Sequence, residues 1–188
     1  MAVRGWSLAR VSCVVVCLGL CATLRADDAK PNVTTVTLAE GGPLEIKAPD
    51  GWTVKILKSP IAPTIVATPK AGDADLKITF IPMKEDLDKE KMEALVKIGS
   101  QQYIGGSVEK DVKLQNLDSK AATGVFAEFT DASIAGKPVK PGQFAAVATG
   151  LIKIGKATGT FTLLGKAFDD KNYVAGKEIL KSGMAEKK

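Results

Sequence analysis

The sequence predicts an α+β fold in which an antiparallel β-sheet of about six or seven strands carries two main helices. Three observations lead to this prediction. Most of the chain after residue 32 consists of short runs that alternate apolar and polar residues or are rich in β-branched residues, as strands are. Only two segments, 87–106 and 169–183, have apolar residues at helical spacing. Because strands follow one another instead of alternating with helices, the sheet is expected to be antiparallel.

The N-terminal segment is predicted to be a secretory signal peptide covering residues 1–26. Arg4 and Arg10 give it a basic start, and Cys13 to Leu24 form an almost unbroken apolar run. That run fits the ~7–15 residues of a signal-peptide core and falls short of the ~18–20 residues of a membrane span. Ala26 supplies the small residue at the expected cleavage site.

Cleavage would leave residues 27–188 as a single exported domain, periplasmic or secreted, with no membrane span of its own. An uncleaved membrane anchor and a lipoprotein attached through Cys21 are the alternatives. The short apolar run argues against the anchor, and the bulky Leu20 before the cysteine argues against lipid attachment. No linker, fixed-period repeat or low-complexity block divides the remaining sequence.

The predicted mature chain lacks the residue types that carry much of protein chemistry. All three cysteines and all three arginines lie in the signal segment, and the sequence contains no histidine. The usual zinc, copper and haem ligands and the Cys-His and Ser-His-Asp catalytic sets are therefore missing. Loss of the arginines also lowers the net charge from +5 to +2, which does not favour nucleic-acid binding. We expect no metal, no cofactor and no enzymatic activity.

Five strands are predicted before the first helix. They are Val33–Leu38, Pro43–Ala48, Thr53–Lys58, Thr64–Pro69 and Asp75–Pro82. Pro49-Asp50-Gly51 is a predicted turn, because Pro fixes φ, Asp bonds its own backbone and Gly tolerates positive φ.

The first helix is predicted to begin after Asp88, a good N-cap, with Leu87 and Met92 as a hydrophobic staple. Gly105-Gly106 ends it. Its inner stripe is predicted to consist of Met92, Leu95, Val96, Gly99 and Tyr103.

The second half is predicted to contain four more strands and the closing helix. The strands are Val112–Leu117, Ala121–Ala132, Phe144–Ile154 and Ala157–Gly165, with Gly155-Lys156 as a hairpin turn. Asp169 or Asp170 caps the closing helix. Its predicted inner stripe is Tyr173, Gly176, Ile179, Leu180 and Gly183, with Lys177 and Lys181 facing water. The tail from Met184 onward is expected to fray.

This order of elements resembles the PsbP/Mog1-like α/β/α sandwich family. Members often carry a Pro-x-Gly-Trp turn in the first hairpin, and Pro49-Asp50-Gly51-Trp52 matches it here. The Thr/Phe strand Gly159–Leu164, the aromatic Tyr173 and the segment Glu178–Ser182 match the end of the family pattern. The resemblance implies a small exported or membrane-linked domain. The chain has no counterpart of the histidines attributed to the photosynthetic members, which argues against a photosystem role.

Trp52 is the only tryptophan outside the signal segment and is predicted to be a structural anchor. An indole buries on the order of 200 Å², so a Trp placed directly after a turn can fold over the end of a sheet and pin it to a helix. The alternative is a stacking platform for a ligand, but no second Trp or clustered Tyr accompanies it.

Four lysines, Lys137, Lys140, Lys153 and Lys156, are predicted to lie around one loop-and-hairpin region. They could form a basic rim that binds an acidic protein partner or anionic lipid head groups. Alternatively, they keep the sheet soluble and its edge unpaired.

Two places in the sequence offer carboxylates as candidate chemical sites. Glu85, Asp86 and Asp88 could bind Ca²⁺, but they lack the spacing of an EF-hand loop, and acids at a helix start favour capping. Glu128 could be one partner of a glycosidase pair, yet the chain has few aromatic residues for a sugar platform.

We therefore predict a non-enzymatic exported binding or accessory domain that mediates protein interaction or assembly in the cell envelope. The alternative is a carrier of a small apolar or amphipathic ligand. Several predicted strands mix Gly and Ala with larger apolar residues. Such strands either let a helix pack closely, which is the preferred interpretation, or leave a cavity for a ligand.

Overall fold

The structure is a computed structural model that describes residues 32–38, 42–59, 62–83 and 86–186. The predicted signal peptide lies outside the described residues. The elements are β1 Asn32–Leu38, β2 Gly42–Ala48, β3 Trp52–Leu57, β4 Thr64–Pro69, β5 Ala74–Ile81, α1 Lys89–Ile104, β6 Leu114–Asp118, β7 Thr123–Thr130, β8 Ala146–Ile154, β9 Ala157–Gly165, α2 Lys171–Lys181 and β10 Met184–Glu186.

The strands form two sheets in which all neighbours are antiparallel. The large sheet has seven strands in the order β3-β4-β5-β9-β8-β7-β6, and the small sheet has the order β1-β2-β10. The predicted α+β class, the antiparallel pairing and the two helices are confirmed. The division into two sheets was not predicted.

The Pro49-Asp50-Gly51-Trp52 turn is a corner between the two sheets, so its predicted place inside a hairpin is wrong. The Trp52 amide donates to the Pro49 carbonyl at 3.1 Å, and Gly51 has a φ of 79° that favours glycine. β2 before the turn belongs to the small sheet and β3 after it to the large sheet.

The segment after α2 is ordered as a strand, so the prediction of a frayed tail is wrong for its first three residues. Met184–Glu186 pairs with β2, and the Met184 side chain is fully buried. This pairing joins the end of the chain to a strand near its beginning, which no local sequence signal reports.

One face of the large sheet is closed. The small sheet and α2 cover it, and together they form the main core. Ile78 and Phe161 of the sheet, Ile46 of β2 and Tyr173 and Ile179 of α2 all belong to this core. Since strand residues alternate between faces, every second residue of β5, β8 and β9 faces this core.

The other face is covered only in part, by α1. This helix packs on β6, β7 and β8, where Met92 and Val96 join Val125 and Leu151 in a second core cluster. Leu87 belongs to the same cluster, which confirms the predicted staple with Met92.

The predicted inner stripe of α1 is partly wrong. Met92 and Val96 are buried, but Leu95 is 46 % exposed and Gly99 is exposed, while Ser100 is buried. The helix is therefore turned so that Leu95 and Gly99 lie at its side rather than beneath it.

Helix α2 matches its predicted cap and inner stripe. Asp170 caps it by accepting a hydrogen bond from the Asn172 amide at 2.8 Å. The predicted stripe, Tyr173, Gly176, Ile179, Leu180 and Gly183, is buried, although Gly183 follows the end of the helix. Neither helix in the described part of the chain is both long and apolar enough to cross a membrane.

Candidate functional site

An open apolar cleft of about 340 Å³ lies between α1 and the large sheet. It lies beside α1, over the parts of β8, β9 and the end of β5 that the helix does not cover. The lining residues are Ile81, Met83, Leu87, Leu95, Val96, Gly99, Ser100, Gln102, Thr149, Gly150, Leu151, Thr158, Gly159 and Thr160. We call it the α1 cleft.

The wall of the α1 cleft is one side of the helix. Leu95, Gly99 and Gln102 follow one another at i, i+4 and i+7, so they lie along a single line on α1. Met92 and Val96 hold the helix on β7 and β8, and this line therefore stands over β9. A Cβ atom at Gly99 would have no other atom within 4 Å, so nothing fills the space beside it.

The floor of the cleft consists of threonines and leucine from two neighbouring strands. Thr160 of β9 is paired with Leu151 of β8, and Thr158 is paired with Ile81 of β5. Thr149 donates from Oγ1 to the Phe161 carbonyl at 3.3 Å. The floor therefore offers hydroxyl groups within an otherwise apolar surface.

Among the described residues, no charged side chain lines the α1 cleft. Beside the cleft, Lys153 of β8 is the register partner of Thr158 and forms an ion pair with Asp86. The hydrogen bond and the charge of Lys153 hold the pKa of Asp86 below its usual value. At this end of the cleft, Lys153 and Asp86 therefore form an ion pair with each other.

The acidic segment before α1 has structural roles in its described part. Asp88 caps the helix, since its Oδ1 accepts from the Lys91 amide at 2.8 Å, and Asp86 pairs with Lys153. Glu85 lies outside the described residues. No group of three or more potential His, Cys, Asp or Glu metal ligands occurs within the described ranges.

The four predicted partner-binding lysines fall into two pairs. Lys137 and Lys140 lie in the loop before β8, whereas Lys153 and Lys156 lie at the far end of β8 and in the turn after it. The nine residues of β8 put roughly 26 Å between these ends, at ~3.3 Å per residue. The structure does not bring the four side chains together, and partner binding by either pair stays a prediction.

Trp52 lies in the main core and is only 4 % exposed. Its backbone carbonyl accepts a hydrogen bond from the Asn32 side chain at 3.3 Å. A buried indole has no free ring face for stacking on a ligand, so the placement supports the anchor interpretation.

Glu128 is the centre of a polar cluster that ties α2 to the large sheet. Its Oε1 accepts from the Tyr173 hydroxyl at 2.8 Å and from Lys177 Nζ at 2.9 Å, and its Oε2 accepts from Gln115 Nε2 at 2.7 Å. Lys177 also lies 5.2 Å from the centre of the Phe126 ring. The prediction that Lys177 simply faces water is therefore wrong, because its amine folds back onto the sheet.

The hydrogen bonds of this cluster set its protonation states. Burial alone would raise the pKa of Glu128, but the hydrogen bonds from Lys177, Gln115 and Tyr173 together lower it. Burial and the Glu128 charge raise the pKa of the Tyr173 hydroxyl, so the phenol stays a neutral donor. These partners are an amine, a phenol and an amide, and the second carboxylate of a glycosidase pair is not among them.

Glycines on the closed face allow close packing, as the preferred interpretation of the small-residue strands predicts. A Cβ at Gly165 would lie 2.7 Å from a ring carbon of Tyr173, and a Cβ at Gly150 would lie 2.5 Å from the Phe126 Cβ. The closed face of the large sheet is therefore closely packed. The cavity that the alternative interpretation predicts lies on the opposite face, as the α1 cleft.

A second cavity of about 510 Å³ lies beside the loop before β8. Ile134, Val139 and Phe168 give it apolar walls, but Lys137, Lys166 and Asp169 also line it. Its lining mixes opposite charges, and much of it is loop, so it is less preorganised than the α1 cleft on its helix and strands.

No protein-family model and no curated protein matches this chain. The functional inference therefore rests on the fold and on the geometry of the α1 cleft.

Proposed function

We propose that the protein is an exported, non-enzymatic binding domain that carries a small apolar or amphipathic ligand in the α1 cleft. The observation that carries the proposal is the cleft itself, with about 340 Å³ of concave space, apolar walls and a few hydroxyl groups. Sites for small molecules are typically concave, mostly apolar and roughly 300–1,000 Å³ in volume.

We also propose that the domain is of the PsbP/Mog1-like type. The two helices lie on opposite faces of the large sheet, as in an α/β/α sandwich. The closing helix carries its aromatic residue, Tyr173, on the inner side. These features support the resemblance that the element order first indicated.

A protein partner is the second candidate occupant of this region. Leu95 and Ile81 at the rim of the cleft are 46 % and 40 % exposed, and Ile98 on the outer side of α1 is 72 % exposed. Contiguous exposed apolar side chains of this kind are typical of protein interaction surfaces. The four lysines give this candidate less support, because they do not form one surface.

Substitution of Gly99 tests the proposed function. Gly99→Leu places a side chain in the empty space beside the cleft, and Gly99→Ala is the control that changes helix propensity without filling the cleft. Titration with the small neutral fluorophore 1-aminonaphthalene, followed by fluorescence, is expected to show at least tenfold weaker binding to Gly99→Leu and unchanged binding to Gly99→Ala.

Ile98→Lys is the control for a change on the surface of α1, because Ile98 does not line the cleft. Ligand carriage predicts that this variant binds the dye as the unaltered protein does. Equal dye binding by all the proteins, Gly99→Leu included, would show that the cleft is not the site.

A further inference from the structure

The α1 cleft has an apolar end and a polar end. α1 runs alongside β8 so that its start lies near Leu151 and Lys153, since Met92 and Val96 pack with Leu151 and Asp86 pairs with Lys153. Ile81, Met83 and Leu87 make this end of the cleft mostly apolar, and Thr158, the register partner of Ile81 and of Lys153, adds a hydroxyl group there.

The polar end lies under the second half of α1. Tyr103 stacks on Phe129 with ring centres 5.3 Å apart, which places the C-terminal turn of the helix near the start of β8. Ser100, Gln102 and Thr149 line the cleft here. The helix rises roughly 10 Å between Leu95 and Gln102, at 1.5 Å per residue, so the two ends are well separated.

The size of the cleft limits the ligand. A volume of about 340 Å³ corresponds to roughly eleven water molecules at ~30 Å³ each. A ligand of on the order of ten non-hydrogen atoms would fill it.

The charges around the cleft limit the ligand further. An ionised head group buried without a partner is strongly unfavourable. Lys153 lies beyond the apolar end and is paired with Asp86. Lys77 lies two strands from Thr149 in the same register row, but it is 3.2 Å from Asp75 and does not line the cleft. Neither lysine is available to a head group held at the polar end.

We infer that the ligand is an uncharged amphipath of about ten non-hydrogen atoms. This inference rests on the proposed function. The apolar part of the ligand lies against Ile81, Met83, Leu87 and Leu95. Its hydroxyl, amide or ester head group lies by Ser100, Gln102 and Thr149. Ser100 and Gln102 can both donate and accept hydrogen bonds, whereas the Thr149 hydroxyl donates to the Phe161 carbonyl and is left to accept.

Two ligands that differ only in the head group test the inference. Binding of 1-decanol and of decanoate is measured at pH 8 by displacement of 1-aminonaphthalene from the purified protein. The alcohol is expected to bind at least tenfold more tightly than the carboxylate, because the carboxylate would be ionised at this pH and unpaired in the cleft.

A matched pair of variants tests where the head group lies. Gln101 and Gln102 are both exposed, but only Gln102 lines the cleft. Gln102→Lys places an amine at the polar end and is expected to strengthen decanoate binding roughly three- to fivefold, as an exposed ion pair does. Gln101→Lys adds the same charge outside the cleft and is expected to leave decanoate binding within about twofold, since exposed charges interact weakly through solvent.

The outcomes separate the inference from the proposed function. A tenfold preference for the alcohol together with a gain for decanoate in Gln102→Lys alone supports both. Equal or tighter binding of decanoate by the unaltered protein overturns the uncharged ligand but leaves carriage in place, and equal gains in the two lysine variants overturn the head-group position. Failure of both ligands to displace the dye, or failure of the dye to bind, overturns the proposed function and the inference with it.

Discussion

The two helices of this protein meet the same sheet in different ways. Helix α2 lies flush on the closed face, where Gly176 brings its backbone against Leu163, so that a Cβ there would lie 2.6 Å from a Leu163 methyl group. Helix α1 packs on β7 and β8 through Met92 and Val96 but stands clear of β9, and its Gly99 borders empty space. One helix closes its face of the sheet and the other leaves a cleft.

The difference shows that a glycine within an amphipathic helix does not by itself reveal its role. Gly99 and Gly176 both occur in helical stripes with apolar neighbours. The two differ in what lies beneath them in the fold: Gly176 packs on Leu163 of β9, whereas Gly99 faces open space. Four predictions, taken from the largest expected effect to the smallest, test the contrast between the closed face and the open face.

Loss of the Trp52 side chain is expected to have the largest effect, because it leaves a cavity in the main core on the closed face of the large sheet. Trp52→Ala should lower the free energy of unfolding by about 3–5 kcal/mol, as measured by chemical denaturation. Leu57→Ala in the same strand is the control, since Leu57 is 55 % exposed, and it should cost under about 1 kcal/mol. Equal losses in the two variants would contradict the anchor role.

The same substitution in the two helices should have opposite effects. Gly176→Leu would push a side chain into the buried Leu163 and should lower the unfolding free energy by roughly 1–3 kcal/mol or more. Gly99→Leu has room and should be neutral or stabilising. Thermal unfolding of both variants measures this difference in stability. Similar shifts in Tm would contradict the predicted difference between the two helices.

The Glu128 cluster should contribute a pH-dependent part of the stability. Because the folded-state pKa of Glu128 is lowered below the usual 4.5, the contribution is present above that pH and is lost as the pH falls through the lowered pKa. Glu128→Gln should therefore cost about 1–2 kcal/mol at pH 7, and the difference from the unaltered protein should shrink below about pH 4.5.

Glu178→Gln is the matched control for this measurement. Glu178 pairs with Lys181 at 3.6 Å, but both side chains are largely exposed, so the change should cost under about 1 kcal/mol. A loss in Glu128→Gln that stayed constant between pH 3 and pH 7 would show that the ionised carboxylate is not what stabilises the contact.

The smallest effect is expected from Gly99→Ala. Alanine is favoured over glycine within a helix by about 0.8–1.0 kcal/mol, and a Cβ at this position meets no neighbour within 4 Å. Chemical denaturation should show a gain in unfolding free energy. A loss would mean that the side of α1 is not open.

Local features of the fold could be predicted from the sequence, because their causes lie within a few residues. The caps at Asp88 and Asp170 depend on a side-chain oxygen reaching a nearby amide, and the Leu87–Met92 staple depends on spacing along one helix. The strand segments carry their own alternation, so the antiparallel pairing of the large sheet follows from their order.

The remaining features depend on residues that are far apart in the chain. β10 pairs with β2 through Met184 and Ile46, and Glu128 binds Lys177 across the gap between a strand and a helix. Neither contact has a signal in the local sequence. The α1 cleft likewise depends on how α1 is turned on the sheet. The apolar spacing predicted that Leu95 and Gly99 are buried, but these residues form the wall of the cleft.

Mapping of ligand binding by NMR tests the central claim most directly. In a titration of the isotopically labelled protein with 1-decanol, backbone amide shifts should change at Leu95, Gly99 and Gln102 of α1 and at Thr158 and Thr160 of β9. Amides around Gly176 on the closed face should stay in place. Absence of shifts at saturating alcohol, or shifts centred on Lys137 and Phe168 in the second cavity, would contradict the assignment of the α1 cleft as the binding site.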